Sequence, residues 1–155
     1  PNVVTSLYLG AENLEEVNLR LQKKLGRIAA NEVRWKEYET EDADLLLVAF
    51  GTVGRICQSV VRDARDMGLK VGLLRPTTLW PFPDNRIAEL AEQVQGILTV
   101  EMSAGQMVQD VRLAVEGRCP VAFYGRMGGI IPLADEILPE LEKLAAEVSG
   151  REEAD

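Results

Sequence analysis

The residues that could carry catalysis in this chain are limited by the complete absence of histidine. Without histidine, neither a Ser-His-Asp nor a Cys-His nucleophile can form, and most zinc sites are excluded. Acid–base catalysis would have to use Asp, Glu, Lys, Tyr or Cys. The two cysteines, Cys57 and Cys119, are far apart in the sequence. We expect buried free thiols in a reducing compartment rather than a disulfide or a metal pair.

Most of the remaining candidates lie in four loops, each of which follows a predicted strand: 51–54, 75–83, 101–106 and 125–129. In α/β sheets, ligands collect at the carboxyl ends of the strands, where these loops would meet. The run Gly51-Thr52-Val53-Gly54 is neither a dinucleotide fingerprint nor a Walker loop, because no GK[ST] follows it. Helix N-termini near Val53 and Gly105 could attract an anion, but turn geometry explains the glycines equally well.

Two charged and two aromatic residues stand out in these loops. Arg75 and Glu101 end two predicted strands, and an ion pair between them is favoured over a catalytic role. Trp80 and Phe82 lie between prolines, and they are either buried anchors of the loop or an interface hot spot. Three nearby methionines are expected to fill the core: Met102, Met107 and Met127. The residues alone therefore indicate an interaction-prone edge without a self-sufficient catalytic set.

The elements that position these loops are organised around the apolar run 45–50. A run without polar alternation predicts a strand covered on both faces, as in a parallel sheet. Apolar residues at helical spacing follow over 56–67, from Ile56 to Met67, and Gly68 is expected to end that helix. A strand over 71–75 completes a strand–turn–helix–strand unit.

Further helices and strands follow in alternation. Asp84 is expected to cap a helix that Gly96 ends, and this helix leads to strand 97–101. Additional elements are a helix carrying Met107 to Val115, a strand over 121–124 and a final helix over 137–145. Residues 33–38 alternate apolar and charged side chains, which predicts an edge strand whose short connection permits only an antiparallel neighbour. Five strands alternating with helices predict an α/β fold with three layers, α/β/α.

The stretch 11–31 predicts an amphipathic helix with apolar residues at steps of three and four. This helix either packs on its own domain, which we favour, or docks on a neighbouring domain or subunit. The apolar residues 3–9 precede it without an obvious strand partner. We expect residues 1–32 to link to a missing upstream domain, 33–148 to form the α/β domain, and 149–155 to be a frayed polar tail.

Composition narrows the class of protein. The chain has 155 residues, 46% of them hydrophobic, and a net charge of -8. This acidity argues against nucleic acid or an anionic membrane as a partner. No apolar run reaches membrane-spanning length and the start lacks a secretory signal, so we expect a cytoplasmic protein. The chain begins with Pro1, and we expect it to be an excised fragment.

Three runs carry a resemblance to a known family. They are Gly51-Thr52-Val53-Gly54, the run 71–83 ending Arg75-Pro76-Thr77-Thr78-Leu79-Trp80-Pro81-Phe82-Pro83, and Val100-Glu101-Met102-Ser103-Ala104-Gly105-Gln106-Met107. Together they resemble the alpha subunit of 2-oxoacid:ferredoxin oxidoreductases of the 2-oxoisovalerate and 2-oxoglutarate types. The likeness covers nearly the whole chain. The family usually has Asn where Ser103 stands.

The resemblance implies a fold and an activity. The matching part is similar to the transketolase C-terminal domain, which implies a five-stranded, mostly parallel sheet of order 1-3-2-4-5 with strand 1 antiparallel. The whole enzyme would oxidatively decarboxylate a 2-oxoacid to an acyl-CoA and reduce ferredoxin. It would use thiamine diphosphate with Mg, iron–sulfur clusters and coenzyme A, all bound outside this chain.

For this chain the resemblance implies no catalytic, cofactor-binding or metal-binding residue. Its expected partners are an upstream domain of the same subunit, the beta and other subunits, and ferredoxin with the whole enzyme. The loop residues expected to face a neighbouring domain or subunit are Gly51, Thr52, Arg75, Thr77, Trp80, Phe82, Glu101, Ser103 and Gln106. Two alternatives remain: a domain of a transketolase or a 2-oxoacid dehydrogenase E1-like enzyme, and a stand-alone flavodoxin-like ligand-binding module.

Overall fold

The computed structural model describes residues 7–152. The elements follow in the order α1 (Ala11–Glu32), β1 (Trp35–Tyr38), β2 (Leu45–Val48), α2 (Gly51–Asp66), β3 (Val71–Pro76), α3 (Asp84–Ala91), β4 (Gly96–Glu101), α4 (Met107–Val115), β5 (Val121–Gly125) and α5 (Ala134–Glu152). The sheet order is β1-β3-β2-β4-β5, with β1 antiparallel to β3 and the other pairs parallel. The predicted fold and strand order are confirmed.

The apolar run that forms β2 has both of its faces covered. Leu45 and Leu47 point into a cluster formed with α2 and α5, while Leu46 and Val48 point into a second cluster formed with α3 and α4. All four residues of β2 are buried. Continuous apolar sequence thus reflects a strand at the centre of three layers.

The predicted helix boundaries need two corrections around α3. Asp84 is the first residue of α3 and Pro83 is its N-cap, without a side-chain capping bond. The Asp84 carboxylate instead accepts a hydrogen bond from the Asn85 amide at 2.9 Å. Gly96 does not end α3, which stops at Ala91; it begins β4. A Cβ on Gly96 would lie 3.2 Å from the Leu144 side chain, so this glycine permits close packing of α5.

Helix α1 does not pack on the core. None of its residues is buried, and none belongs to either core cluster. The favoured expectation, that α1 packs on its own domain, is therefore wrong. Of the apolar segment that precedes α1, only residues 7–9 are described, and Leu7 and Leu9 are 68% and 91% exposed.

The C-terminal end of the chain is more regular than expected. Helix α5 continues to Glu152, so residues 149–152 are helical rather than a frayed tail. The rest of the predicted tail lies outside the described residues. Within 7–152, no helix combines the length and apolar character needed to cross a membrane.

Candidate functional site

The loops singled out from the sequence meet at the carboxyl edge of the sheet. Strands β2 to β5 all end there, and the antiparallel β1 begins there with Trp35. We call the surface formed by Trp35 and the loops 49–54, 76–83, 101–106 and 125–133 the rim. Its centre follows β2 and β4, and its two ends follow β3 and β5.

Glu101 is buried at the centre of the rim and caps α4. One carboxylate oxygen, Oε2, accepts hydrogen bonds from Ser103 Oγ at 3.0 Å and from the amides of Gln106 and Met107 at 3.1 and 2.9 Å. The other, Oε1, accepts one from the Val108 amide at 2.9 Å. Because the carboxylate already satisfies these amides, the end of this helix is not the anion site that the sequence allowed.

Arg75 and Glu101 do not form the expected ion pair. Strand β2 lies between β3 and β4, so the two strand ends are not neighbours. The Arg75 guanidinium instead donates a hydrogen bond to the Gly51 carbonyl at 3.3 Å. The prediction is wrong because it assumed that consecutive strands are adjacent in the sheet.

The two glycines of the first loop have backbone roles. Gly51 has a φ of 59°, which favours glycine. A Cβ on Gly54 would lie 2.9 Å from the Ala49 carbonyl oxygen and 2.9 Å from Arg75 Cδ. Turn geometry and close packing of α2 on β3 therefore account for the spacing of the two glycines.

The nine predicted interface residues separate into three groups. Five are exposed: Gly51, Thr52, Thr77, Trp80 and Gln106. Three are half-buried: Arg75, Phe82 and Ser103. The ninth, Glu101, is 2% exposed, so its side chain supports the rim from inside and is not on the surface.

The two aromatic residues of the 76–83 loop have different environments. Phe82 packs against the second core cluster and anchors the loop. Trp80 is 58% exposed and is available for contact. The anchor interpretation therefore applies to Phe82, and the interface interpretation stays a prediction for Trp80.

Sequence reasoning missed much of the apolar surface of the rim. Among the described residues, the exposed large hydrophobic side chains of the rim are Trp35, Leu79, Trp80, Met102, Met127, Ile130, Ile131 and Leu133. Of the three methionines expected in the core, only Met107 is buried, whereas Met102 and Met127 are 40% and 59% exposed. The loop 127–133 carries four of these side chains without a helical or strand period that could bury them. Apolar residues without such a period could have identified this loop as an exposed apolar surface.

The donor side chains that metal ions and iron–sulfur clusters require can be compared with those of the described residues. No group of three or more His, Cys, Asp or Glu side chains among them could hold a metal ion. Cys57 and Cys119 are both buried free thiols, as predicted, and burial raises their pKa values to about 12 and about 11. Thiols with such pKa values remain protonated and are poor metal ligands. The two thiols therefore do not fit an iron–sulfur cluster.

Known proteins are similar to this chain in sequence and in fold. Residues 43–137 match the family described as pyruvate:ferredoxin oxidoreductase core domain II. The chain is 47% identical over 146 residues to ketoisovalerate oxidoreductase subunit VorB of Methanothermobacter marburgensis, covering 94% of this chain and 41% of that subunit. It is 36% identical over 102 residues to 2-oxoglutarate synthase subunit KorA of the same organism, covering 66% of this chain and 27% of that subunit.

A solved structure has the same fold. The 2-oxoglutarate:ferredoxin oxidoreductase from Magnetococcus marinus superimposes with a TM-score of 0.70 at 15% identity, covering 88% of this chain and 24% of that chain. The chain spans about two fifths of the length of the VorB subunit that it matches. The sequence matches confirm the resemblance seen in the three loop runs. The chain therefore belongs to the family of pyruvate:ferredoxin oxidoreductase core domain II, a domain of 2-oxoacid:ferredoxin oxidoreductase subunits.

Proposed function

We propose that this chain is the assembly domain of the alpha-type subunit of a thiamine-diphosphate-dependent 2-oxoacid:ferredoxin oxidoreductase. The observation that carries the proposal is the 47% identity to a ketoisovalerate oxidoreductase subunit across 94% of the chain. Identity to a 2-oxoglutarate synthase subunit is lower and covers less of the chain. We therefore propose 2-oxoisovalerate as the substrate of the whole enzyme.

In this proposal, the chemistry belongs to other parts of the enzyme. The whole enzyme decarboxylates the 2-oxoacid oxidatively, transfers the acyl group to coenzyme A and passes electrons to ferredoxin. Thiamine diphosphate with Mg and the iron–sulfur clusters bind outside this domain. The raised pKa values of both thiols support this division for the iron–sulfur clusters.

The rim is the part of the domain that we assign to contact with a neighbouring domain or subunit. Its ends are apolar, with Trp35, Leu79 and Trp80 on one side and the 127–133 loop on the other. Its centre is more polar, with Thr52 and Gln106 exposed beside a single exposed large hydrophobic residue, Met102. An apolar surface interrupted by polar groups is typical of specific protein interfaces, and exposed tryptophan is enriched at their hot spots.

Three measurements test the proposal. Calorimetry of the 155-residue chain with thiamine diphosphate and Mg²⁺ should show no binding, and the chain alone should not decarboxylate 2-oxoisovalerate. The oxidoreductase that contains this domain should turn over 2-oxoisovalerate with a higher kcat/KM than 2-oxoglutarate. Tight cofactor binding by the isolated chain would overturn the assembly role, and a preference for 2-oxoglutarate would overturn the substrate.

A further inference from the structure

Helix α1 has an apolar stripe that the described domain leaves uncovered. The stripe consists of Leu14, Val17, Leu21, Leu25 and Ile28. Leu14, Leu21 and Leu25 are 41%, 45% and 38% exposed, and the other two are half-buried. The mean spacing of about 3.5 residues is that of a coiled-coil seam. The stripe is therefore suited to one narrow contact with another helix.

The positions of the stripe residues are symmetric about Leu21. Leu14 and Ile28 are each seven residues from it, and Val17 and Leu25 are each four residues from it. When a helix packs antiparallel on a copy of itself, a two-fold axis passes through one point of the seam and exchanges positions on either side of it. A contact with an unrelated helix requires no such symmetry.

The charges of α1 divide close to this point. The segment 11–19 carries Glu12, Glu15 and Glu16 and no basic residue. The segment 20–27 carries four basic residues, namely Arg20, Lys23, Lys24 and Arg27. Antiparallel pairing places the acidic half of one helix beside the basic half of the other and opposes the helix dipoles. Parallel pairing would place like charges together.

We propose that α1 pairs antiparallel with α1 of a second copy of this chain, with the two-fold axis at Leu21. Leu21 then packs on its own counterpart, Leu14 packs on Ile28 of the second copy, and Val17 packs on Leu25. The rim takes no part in this contact. The proposal therefore does not depend on the proposed function and can fail separately from it.

Sedimentation equilibrium of the 155-residue chain over a concentration series tests the dimer. Leu21→Glu should weaken dimerisation by at least about 100-fold, because it removes two buried leucines and places two carboxylates at the axis. Leu19→Glu is the matched control, since Leu19 is 58% exposed and lies about 160° around the helix from Leu21. Circular dichroism should show that both variants remain folded, because neither leucine belongs to a core cluster.

Cysteine cross-linking tests the orientation of the two helices. Leu21→Cys should form a disulfide-linked dimer under mild oxidation. Leu14→Cys should not, because its two copies would lie about 21 Å apart along an antiparallel pair. A monomeric chain, an equal loss of dimer in Leu19→Glu, or a dimer linked efficiently through Leu14→Cys would each overturn the proposal.

Discussion

The two edges of the sheet differ in how many large hydrophobic side chains they expose to solvent. At the amino edge, the one exposed large hydrophobic side chain among the described residues is Met67. At the carboxyl edge, the rim exposes eight such side chains, from Trp35 to Leu133. Both edges belong to the same strands and carry loops of ordinary length. The difference therefore reflects the residues placed in those loops rather than the topology of the sheet.

Hydrogen bonds from the Arg65 side chain close part of the amino edge. Arg65 donates to the carbonyl oxygens of Glu39 and Val71 at 2.8 and 2.9 Å and to Asp42 Oδ1 at 2.7 Å. These bonds tie the end of α2 to the β1–β2 loop and to the start of β3. An edge whose polar groups are satisfied internally has little to offer a partner, whereas the rim leaves apolar surface free.

The comparison predicts that substitutions of internally bonded residues reduce the stability of the domain, whereas substitutions on the surface of the rim act on assembly. Replacing Glu101 should have the largest effect on stability. Glu101→Ala removes the acceptor of two buried amides, those of Met107 and Val108. We expect the free energy of unfolding to fall by about 4 kcal/mol, measured by urea denaturation.

The control for Glu101→Ala is Glu147→Ala on α5. Glu147 is exposed, and a substitution at such a site should change stability by less than about 0.5 kcal/mol. An equal, small effect of both variants would show that the buried carboxylate does not hold α4 in place.

At the amino edge, Arg65→Ala should destabilise the domain by about 3 kcal/mol, because two backbone carbonyls and a carboxylate lose a charged donor. Urea denaturation of Arg62→Ala, an exposed neighbour on α2, provides the reference. A loss for Arg65→Ala no larger than for Arg62→Ala would contradict the assignment of the amino edge as the closed one.

The orientation of Trp35 at the rim depends on Glu37. The Glu37 carboxylate accepts hydrogen bonds from Arg86 Nε at 2.8 Å, Thr40 Oγ1 at 2.7 Å and Trp35 Nε1 at 2.7 Å. The hydrogen bond from Arg86 is the main reason that the Glu37 pKa falls from its ordinary value of 4.5 to about 2. A carboxylate whose pKa is lower in the folded state contributes its full stabilisation at pH values above its unfolded-state pKa. This contribution disappears as the pH falls to the folded-state pKa.

Glu37→Gln should therefore lower the free energy of unfolding by about 2 kcal/mol at pH 7. The difference between variant and parent should shrink as the pH falls from 4.5 toward about 2. Urea denaturation at a series of pH values measures this difference. A gap that stays constant over that range would mean that the ionised carboxylate is not the source of the stability.

A small gain is expected near the carboxyl end of β4. Thr99 is fully buried, and its Oγ1 has no hydrogen-bond partner. Thr99→Val keeps the shape and removes the unpaired hydroxyl, so the domain should become more stable by about 1 kcal/mol. Thermal unfolding of Thr99→Val beside Thr99→Ser separates the hydroxyl from the methyl group. A loss of stability in Thr99→Val would show that the hydroxyl is satisfied.

The sequence predicted the parts of the fold that depend on local pattern. The unbroken apolar run 45–50 correctly indicated a strand with both faces covered. Helical spacing over 56–67 correctly indicated α2, but Met67, expected on its apolar face, is 55% exposed. The order of the strands came from the resemblance. The predicted ion pair between Arg75 and Glu101 relied on the order of the strands along the chain. It was wrong because β2 lies between β3 and β4 in the sheet.

The candidate site was less predictable than the fold. Residue type did not separate Met107, which α4 turns into the core, from Met102 and Met127, which occupy loops on the rim. Periodicity correctly predicted α1 but could not indicate what the helix packs against. Surface exposure depends on how the elements are arranged in three dimensions, and a short loop sequence contains little of that information.

The central part of the proposal is that the rim contacts another domain or subunit. The direct test is sedimentation velocity of the whole protein that contains this domain, carrying the substitution Trp80→Asp. Leu113→Asp is the control, because Leu113 lies outside the rim and its side chain is 74% exposed. We expect Trp80→Asp to dissociate the complex or displace the domain while the isolated chain keeps its stability, and we expect Leu113→Asp to leave the complex intact. An intact, fully active complex with Trp80→Asp would contradict the proposal.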